Sequence, residues 1–223
     1  MEIINTADGS HTIYVPGMNE QYHSVNGAIT EAEYVYVNKG YRFCYSTEPV
    51  VFEVGFGTGL NCLLTALESE KMQRKTRYIG IEKYPLNAEI ISQLNYCQLI
   101  SADAETIFNK IHASQWNMVI KISPFFSLLK IEADLLLFDP VFAEKCDVIY
   151  FDAFGPDKQP EMWTPAIFDK VAGLISDGGV FVTYSAKGEV RRNLADCGLV
   201  MERLSGPPGK FQMLRGIKQK ANI

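Results

Sequence analysis

A short segment in the first quarter of the chain restricts the possible folds more than any other. Residues 50–54 form an apolar run that contains one carboxylate, Glu53, and three glycines follow in alternation at positions 55, 57 and 59. From Leu60 onward, leucines recur at helical spacing. Glycine lets a backbone turn tightly and approach a ligand, and the first turn of a helix offers free N–H groups. The segment therefore predicts a strand, a ligand-binding loop and a helix within an α/β sheet.

The acid in this segment bears on the choice of ligand. A dinucleotide loop must hold a pyrophosphate, which the Glu53 carboxylate would repel, and the glycine spacing is not G-x-G-x-x-G. S-adenosylmethionine has no phosphate, and a carboxylate attracts both its ammonium and its sulfonium group. The pattern therefore favours a methyl donor over NAD.

The rest of the chain alternates between strand and helix patterns. Strands are predicted over 50–54, 78–82, 147–152 and 180–184, helices over 60–67, 86–112, 165–176 and 188–197, and a hairpin or interrupted strand over 117–134. Two last strands, 199–204 and 211–217, flank a Gly-Pro-Pro-Gly turn. This order predicts an α/β fold with a Rossmann-like, mostly parallel sheet and a terminal antiparallel hairpin, as in class I methyltransferases.

The first 48 residues have a different pattern. Alternating stretches at 12–15 and 34–37 are broken by Gly and Asn, which is typical of short strands. We therefore expect a small β-rich or mixed N-terminal appendage over 1–48 and a sheet domain over 49–223.

Charge limits the classes of partner. The 223 residues carry a net charge of −5, whereas proteins that rely on nonspecific phosphate contacts usually have a basic excess. Nucleic-acid binding is therefore not predicted by composition and would need local patches. The candidate patches are Lys187, Arg191 and Arg192, or Lys210, Arg215, Lys218 and Lys220.

Cysteine and histidine usage indicates the compartment. The five cysteines are dispersed and never spaced C-x-x-C, and the three histidines lie far apart. This predicts neither a metal site nor a disulfide framework and favours the reducing cytoplasm. Because no apolar run reaches membrane-spanning length, we also expect no membrane segment.

Carboxylates at the ends of the predicted strands are candidates for donor binding. Glu82 is expected to accept the ribose hydroxyls, although a strand-ending Glu alone is more often a surface charge. Asp134 is expected near the adenine, and Asp103 competes for that role. Asp103 also fits a helix N-cap region, which is the favoured interpretation for it.

Asp152 ends the predicted fourth strand and opens a segment rich in aromatic residues, glycine and proline. This segment predicts a rigid lip over the crevice, where the transferable methyl group is expected. Phe154 either stacks on a substrate base or packs in the core, and both interpretations stay open. Trp163 is either part of the functional lip or a packing anchor for the next helix.

The chain resembles the methyltransferase domain of the MnmC family, whose bifunctional members build 5-methylaminomethyl-2-thiouridine at the wobble position of tRNA. The matching segments are 53–61, 81–86, 151–156 and 160–163, with smaller matches at 24–27, Glu31, 34–36, 187–192 and 213–214. No second nucleotide-binding fingerprint follows. The chain therefore resembles the stand-alone form without the oxidase domain, and a separate enzyme is expected to supply the 5-aminomethyl uridine.

The resemblance implies S-adenosylmethionine as cofactor and the tRNA anticodon loop as partner. It implies a catalytic role for Asp152. Cofactor-binding residues are expected at Glu53, Gly55, Phe56, Gly57, Thr58, Gly59, Asn61, Glu82, Lys83 and Asp134, and substrate-binding residues at Phe154, Pro156, Arg191, Arg192 and Lys210. Two alternatives remain at this stage: a methyltransferase of the same fold acting on a small-molecule or protein amine, and a donor-binding module without catalysis.

Overall fold

The computed structural model describes residues 1–142 and 144–219, so Lys220 of the predicted basic patch lies outside the described residues. Strands in this part of the chain are β1 (Glu2–Asn5), β2 (His11–Val15), β3 (Glu20–Gln21), β4 (Val50–Val54), β5 (Thr76–Glu82), β6 (Val119–Ser123), β7 (Phe126–Glu132), β8 (Cys146–Phe151), β9 (Ile175–Thr183), β10 (Leu199–Ser205) and β11 (Gln212–Lys218). β4 to β11 form one sheet in the order β10-β11-β9-β8-β4-β5-β7-β6. The core strands β9, β8, β4, β5 and β7 are parallel, and β6 and the β10–β11 hairpin are antiparallel at the two edges. The predicted sheet and its terminal hairpin are confirmed.

Helices cover both faces of this sheet. They are α1 (Ala28–Ala32), α2 (Leu60–Met72), α3 (Ala88–Ile91), α4 (Tyr96–Ile100), α5 (Ala104–Ala113), α6 (Pro165–Ala172) and α7 (Gly188–Asp196). One apolar cluster joins α1, α2 and α5 to one face, and a second joins α6 and α7 to the other. Because side chains alternate along a strand, Val51 and Phe52 belong to different clusters. None of the helices in the described ranges is long and apolar enough to cross a membrane.

The N-terminal region contains both strands and a helix. β1, β2 and β3 form a small antiparallel sheet, in agreement with the β-rich prediction. The strand predicted over 34–37 is wrong, because α1 continues into a π-helical segment, Glu33–Tyr41, that includes these residues. Gly40 explains the packing, since a Cβ there would lie 2.9 Å from Val182 and 3.0 Å from Tyr150 on the central sheet. Burial against the sheet therefore overrides the local β-propensity of the Tyr-Val alternation.

Two helix boundaries also differ from the prediction. The helix predicted over 165–176 ends at Ala172, and β9 begins at Ile175, within the range predicted as helical. The helical stretch predicted over 86–112 is divided into α3, α4 and α5. Asn87 accepts a hydrogen bond from the Ile90 N–H at 2.9 Å and caps the start of α3. The hairpin predicted within 117–134 is confirmed by β6 and β7.

Candidate active site

A cavity of about 560 Å³ opens at the edge where the parallel strands end. Residues at the carboxyl ends of β4, β5, β7 and β8 contribute to its lining: Val54, Glu82, Ala133 and Asp152. The lining also includes residues from the N-terminal region and from the turn before β11: Tyr22, His23, Glu31 and Lys210. Open α/β sheets bind ligands at this edge, so the cavity is the candidate site.

The glycine loop brings its backbone close to the end of β8. Gly55 has a φ of 86°, and a Cβ at this position would lie 2.7 Å from the Asp152 carbonyl oxygen. Gly57 has a φ of 48°, and its N–H donates to Glu82 Oε2 at 3.0 Å. Gly59, with a φ of 72°, precedes α2 as its N-cap residue. The loop therefore needs glycine for both its conformation and its contacts.

Acids after β5 and β7 face the same cavity. Glu82 Oε1 accepts the Tyr84 N–H at 2.9 Å, which fixes its carboxylate beside the glycine loop. Lys83 Nζ lies 2.9 Å from Asp134 Oδ2, and this hydrogen bond lowers the pKa of Asp134. Asp103 instead precedes α5 and lines a separate cavity. The structure thus brings Glu82, Lys83 and Asp134 together and separates Asp103 from them.

Asp152 is held by two donors from different elements. Its Oδ1 accepts the Tyr36 hydroxyl at 2.5 Å, and its Oδ2 accepts Asn61 Nδ2 at 2.8 Å. Burial raises the pKa of Asp152 to about 7, against the opposite effect of the Tyr36 hydrogen bond. A carboxyl group that titrates near neutral pH in a cavity is typical of a catalytic site.

Glu53 lies behind Asp152. It is 0% exposed, and its two oxygens accept Asn61 Nδ2 at 2.9 Å and the Tyr78 hydroxyl at 2.8 Å. Burial raises the pKa of Glu53 well above its usual range. Because the Asn61 amide donates to both Glu53 and Asp152, the two acids belong to one hydrogen-bonded unit. Glu53 fixes the position of the Asn61 amide from the protein interior.

Two residues predicted to bind the cofactor have buried side chains. The Phe56 ring packs against Trp116 with a centroid separation of 5.9 Å. The Thr58 hydroxyl lies 2.8 Å from His23 Nε2. These side chains therefore tie the loop to neighbouring elements, and a ligand would meet this part of the loop through its backbone.

The predicted substrate residues occupy different places. Phe154 lines the cavity, its ring 5.1 Å from that of Tyr22, and its carbonyl accepts Trp163 Nε1 at 2.7 Å, so Trp163 anchors the lip. Pro156 lies farther along the lip and is partly exposed. Arg191 and Arg192 lie on α7, away from the cavity lining.

Lys210 lines the cavity rather than the outer surface. Its Nζ lies 2.5 Å from Glu31 Oε1 and 3.8 Å from the centroid of the Tyr184 ring. The Tyr184 hydroxyl in turn donates to the Ala153 carbonyl at 2.9 Å. A phosphate contact by Lys210 would therefore compete with the Glu31 carboxylate.

Several residues of the site had no predicted role. Tyr36 holds Asp152, and Glu31, His23 and Tyr184 contribute to the lining. The family resemblance included Glu31 and Tyr36, and this was the signal available, but it carried no information on their partners. Tyr36 was also placed on a predicted strand, which hid its position on a helical face.

The family described as S-adenosyl-L-methionine-dependent methyltransferase matches residues 88–219, more than half of the chain. The chain belongs to this family. It is therefore a methyltransferase that uses S-adenosyl-L-methionine, and the prediction of the cofactor is confirmed.

Individual relatives of this methyltransferase are similar over nearly its whole length. It is 29% identical, over 92% of its residues, to 33% of the tRNA 5-methylaminomethyl-2-thiouridine biosynthesis bifunctional protein MnmC of Paraburkholderia xenovorans (strain LB400). It is 32% identical, over 95% of its residues, to 32% of the protein of the same name from Pseudoalteromonas atlantica (strain T6c / ATCC BAA-1087). The chain thus spans about a third of the length of these curated relatives.

Solved structures support the same assignment of fold. The crystal structure of MNMC2 from Aquifex aeolicus superposes with a TM-score of 0.82 at 26% identity and covers 100% of this chain and 71% of that one. Spermidine synthase from Thermotoga maritima gives a TM-score of 0.60 at 13% identity, with 100% and 73% of the two chains covered, and shows the shared fold alone.

The cavity lining of the methyltransferase fits its methyl donor. Gly55 and Gly57 have no side chain, so their backbone is accessible from the cavity. A Cβ on Gly55 would contact the Asp152 carbonyl, and a Cβ on Gly57 would lie 3.0 Å from the Tyr22 ring. Each Glu82 oxygen accepts one backbone N–H, and a carboxylate oxygen has room for a second hydrogen bond. Glu82 can therefore accept ribose hydroxyls as well. Asp134, whose pKa is lowered by the hydrogen bond from Lys83, places a second carboxylate in the same lining.

Proposed function

We propose that this methyltransferase methylates the amine of 5-aminomethyl-(2-thio)uridine at the wobble position of tRNA, giving 5-methylaminomethyl-(2-thio)uridine. The observation that carries the proposal is Asp152, a carboxylate fixed by Tyr36 and Asn61 at the wall of the donor cavity. The relatives named for this tRNA modification cover the chain almost completely, which supports the choice of substrate.

The chemistry requires a neutral amine placed beside the donor. When bound, S-adenosylmethionine supplies an electrophilic methyl group on a sulfonium. A primary alkylamine is largely protonated at neutral pH and has a free lone pair only after losing a proton. Asp152 accepts a hydrogen bond from the amine and orients it, and orientation contributes on the order of 7–11 kcal/mol at best. A carboxyl group whose burial raises its pKa to about 7 also accepts the released proton better than an ordinary Asp does.

The remaining polar residues of the cavity divide between donor and substrate. Glu82 binds the ribose of the donor, and Asp134 with Lys83 binds its adenine end. Phe154 stacks on the uracil base, because it lines the same cavity as Asp152. Glu53 acts through Asn61 on the position of Asp152.

The RNA and the compartment complete the proposal. Arg191 and Arg192 on α7 contact anticodon-loop phosphates, and Pro156 shapes the lip. The reaction takes place in the cytoplasm, in keeping with five free thiols. We retain the division at residue 48, with the N-terminal region contributing Glu31 and Tyr36 to the site.

One assay tests the substrate directly. The protein is incubated with labelled donor and tRNA from cells that lack the modification, and the RNA is digested to nucleosides. We expect label in 5-methylaminomethyl-(2-thio)uridine and none with the Asp152→Ala variant. Label on a metabolite or peptide amine instead would point to a different substrate class. Donor binding without transfer to any RNA would contradict the proposed reaction.

A further inference from the structure

Tyr36 lies in the N-terminal region, 116 residues before the acid that it contacts. Its side chain is 1% exposed, and its hydroxyl lies 2.5 Å from Asp152 Oδ1. We propose that Tyr36 is a positioning residue for methyl transfer, which fixes the Asp152 carboxylate, together with Asn61, toward the incoming amine. The inference rests on the proposed function in one respect, that Asp152 is the group that meets the amine.

Two hydrogen bonds determine the orientation of the carboxylate. Tyr36 donates to Oδ1 and Asn61 to Oδ2, so rotation of the carboxylate about its Cβ–Cγ bond would break both. Each carboxylate oxygen can accept two hydrogen bonds and receives one here, so each keeps a lone pair for the substrate. The two donors thus fix the orientation of the carboxylate and leave it able to accept a hydrogen bond from the substrate.

The Tyr36 hydroxyl is itself held in place. Its ring packs against that of Tyr150 with a centroid separation of 5.2 Å. Its backbone belongs to the π-helical segment that packs on the central sheet through Gly40. The hydroxyl is therefore presented by a buried ring on a packed helix, which is the arrangement that orients a functional group well.

Other charged or titratable groups surround Asp152. They are Glu31, from α1; Lys210, from the turn before β11; Tyr184, which follows β9; and Glu53, from β4. Glu31 and Lys210 form an ion pair at 2.5 Å, so their effects on Asp152 oppose each other. Since a hydrogen bond to the ionised form stabilises that form, Tyr36 keeps Asp152 ionised at a lower pH than burial alone would allow.

A pair of tyrosine variants separates positioning from stability. Tyr36→Phe removes the hydroxyl and keeps the ring, and Tyr41→Phe makes the same change in the same helical segment. Tyr41 is the matched control because it is equally buried, and its hydroxyl lies 2.6 Å from Thr76 Oγ1 rather than beside Asp152. Initial rates of transfer to tRNA are measured against pH, and donor affinity is measured by calorimetry.

For Tyr36→Phe we expect kcat near pH 7 to fall about tenfold and the acid limb of the profile to move up by about one pH unit. Donor affinity stays unchanged, and Tyr41→Phe keeps the wild-type acid limb. An acid limb that stays in place in Tyr36→Phe overturns the inference. If Tyr36→Phe does not fold, 3-fluorotyrosine is placed at position 36. Its more acidic hydroxyl donates a stronger hydrogen bond to Asp152 and should move the acid limb to lower pH. An acid limb that stays in place in this variant also contradicts the inference.

A spectroscopic titration keeps this inference separate from the choice of substrate. The Asp152 carboxyl carbon is followed by ¹³C resonance against pH in wild type, Tyr36→Phe and Tyr41→Phe, with Asp152→Asn to assign the signal. A rise in its titration midpoint in Tyr36→Phe alone supports the contact, and an unchanged midpoint refutes it. Failure of wild type to methylate tRNA contradicts the proposed function, whereas this titration decides the role of Tyr36 independently.

Discussion

Replacing Gly55 with alanine tests the close approach of the glycine loop to the end of β8. Two effects add at this position. Its φ of 86° costs a residue with a Cβ roughly 1–2 kcal/mol. The Cβ would also lie 2.7 Å from the Asp152 carbonyl oxygen, and overpacking of this kind costs typically about 1–3 kcal/mol. We therefore expect Gly55→Ala to lower the free energy of unfolding by about 2–5 kcal/mol.

Two other glycines separate these effects. Gly9 has a φ of 84°, and a Cβ added there would meet nothing within 4 Å, so Gly9→Ala reports the backbone effect alone. Gly17 has open space and no left-handed φ, so Gly17→Ala should leave stability nearly unchanged or raise it by about 0.4–1 kcal/mol. The expected order of stability is therefore Gly17→Ala, then Gly9→Ala, then Gly55→Ala.

Urea unfolding of the three variants, followed by circular dichroism, measures this order, and calorimetry measures donor binding. Donor affinity should fall in Gly55→Ala, because the displaced Asp152 backbone lines the cavity, and should be retained in the other two. If Gly55→Ala were no less stable than Gly9→Ala, the glycine loop would not pack closely against the end of β8.

Three further perturbations address the site. Asp152→Asn should lower turnover by about 10²–10⁴-fold at unchanged donor affinity. Since burial raises the pKa of Asp152 to about 7, wild-type rates should fall as the pH drops below 7. The variant should lack this acid limb, which pH–rate profiles of both proteins would show. Asp134→Ala should weaken donor binding by about two- to tenfold in calorimetry and Asp103→Ala should not, and equal effects would refute the adenine assignment. Replacing both Arg191 and Arg192 with alanine should reduce the slope of log affinity for tRNA against log salt by about 1–2, and an unchanged slope would exclude these phosphate contacts.

The central sheet could be predicted because its information is local. Apolar runs of strand length, glycine turns and helical leucine spacing each lie within a few residues of one another, and β4, α2 and β5 follow directly from them. The acids at the strand ends were predictable for the same reason, since parallel strands end at one edge of the sheet. Glu82, Asp134 and Asp152 all line the cavity as expected.

The part of the site that could not be predicted depends on contacts between distant segments. Tyr36 lies in a stretch whose Tyr-Val alternation favours a strand locally, and only its packing on β8 and β9 makes it helical. Glu53 was expected to face the ligand, but the Tyr78 hydroxyl and the Asn61 amide satisfy its carboxylate in the interior. Spacing along the chain does not reveal such partners.

The helical segment that carries Tyr36 also affects how the protein folds. The contact between Tyr36 and Asp152 closes a loop of 116 residues, and that between Glu31 and Lys210 closes one of 179. Closing long loops costs chain entropy before the contacts compensate for it, so topologies of high contact order fold slowly. During synthesis Glu31 and Tyr36 emerge long before β8, β9 and the turn before β11 exist, so these contacts can form only after Asp152 and Lys210 have been added to the chain.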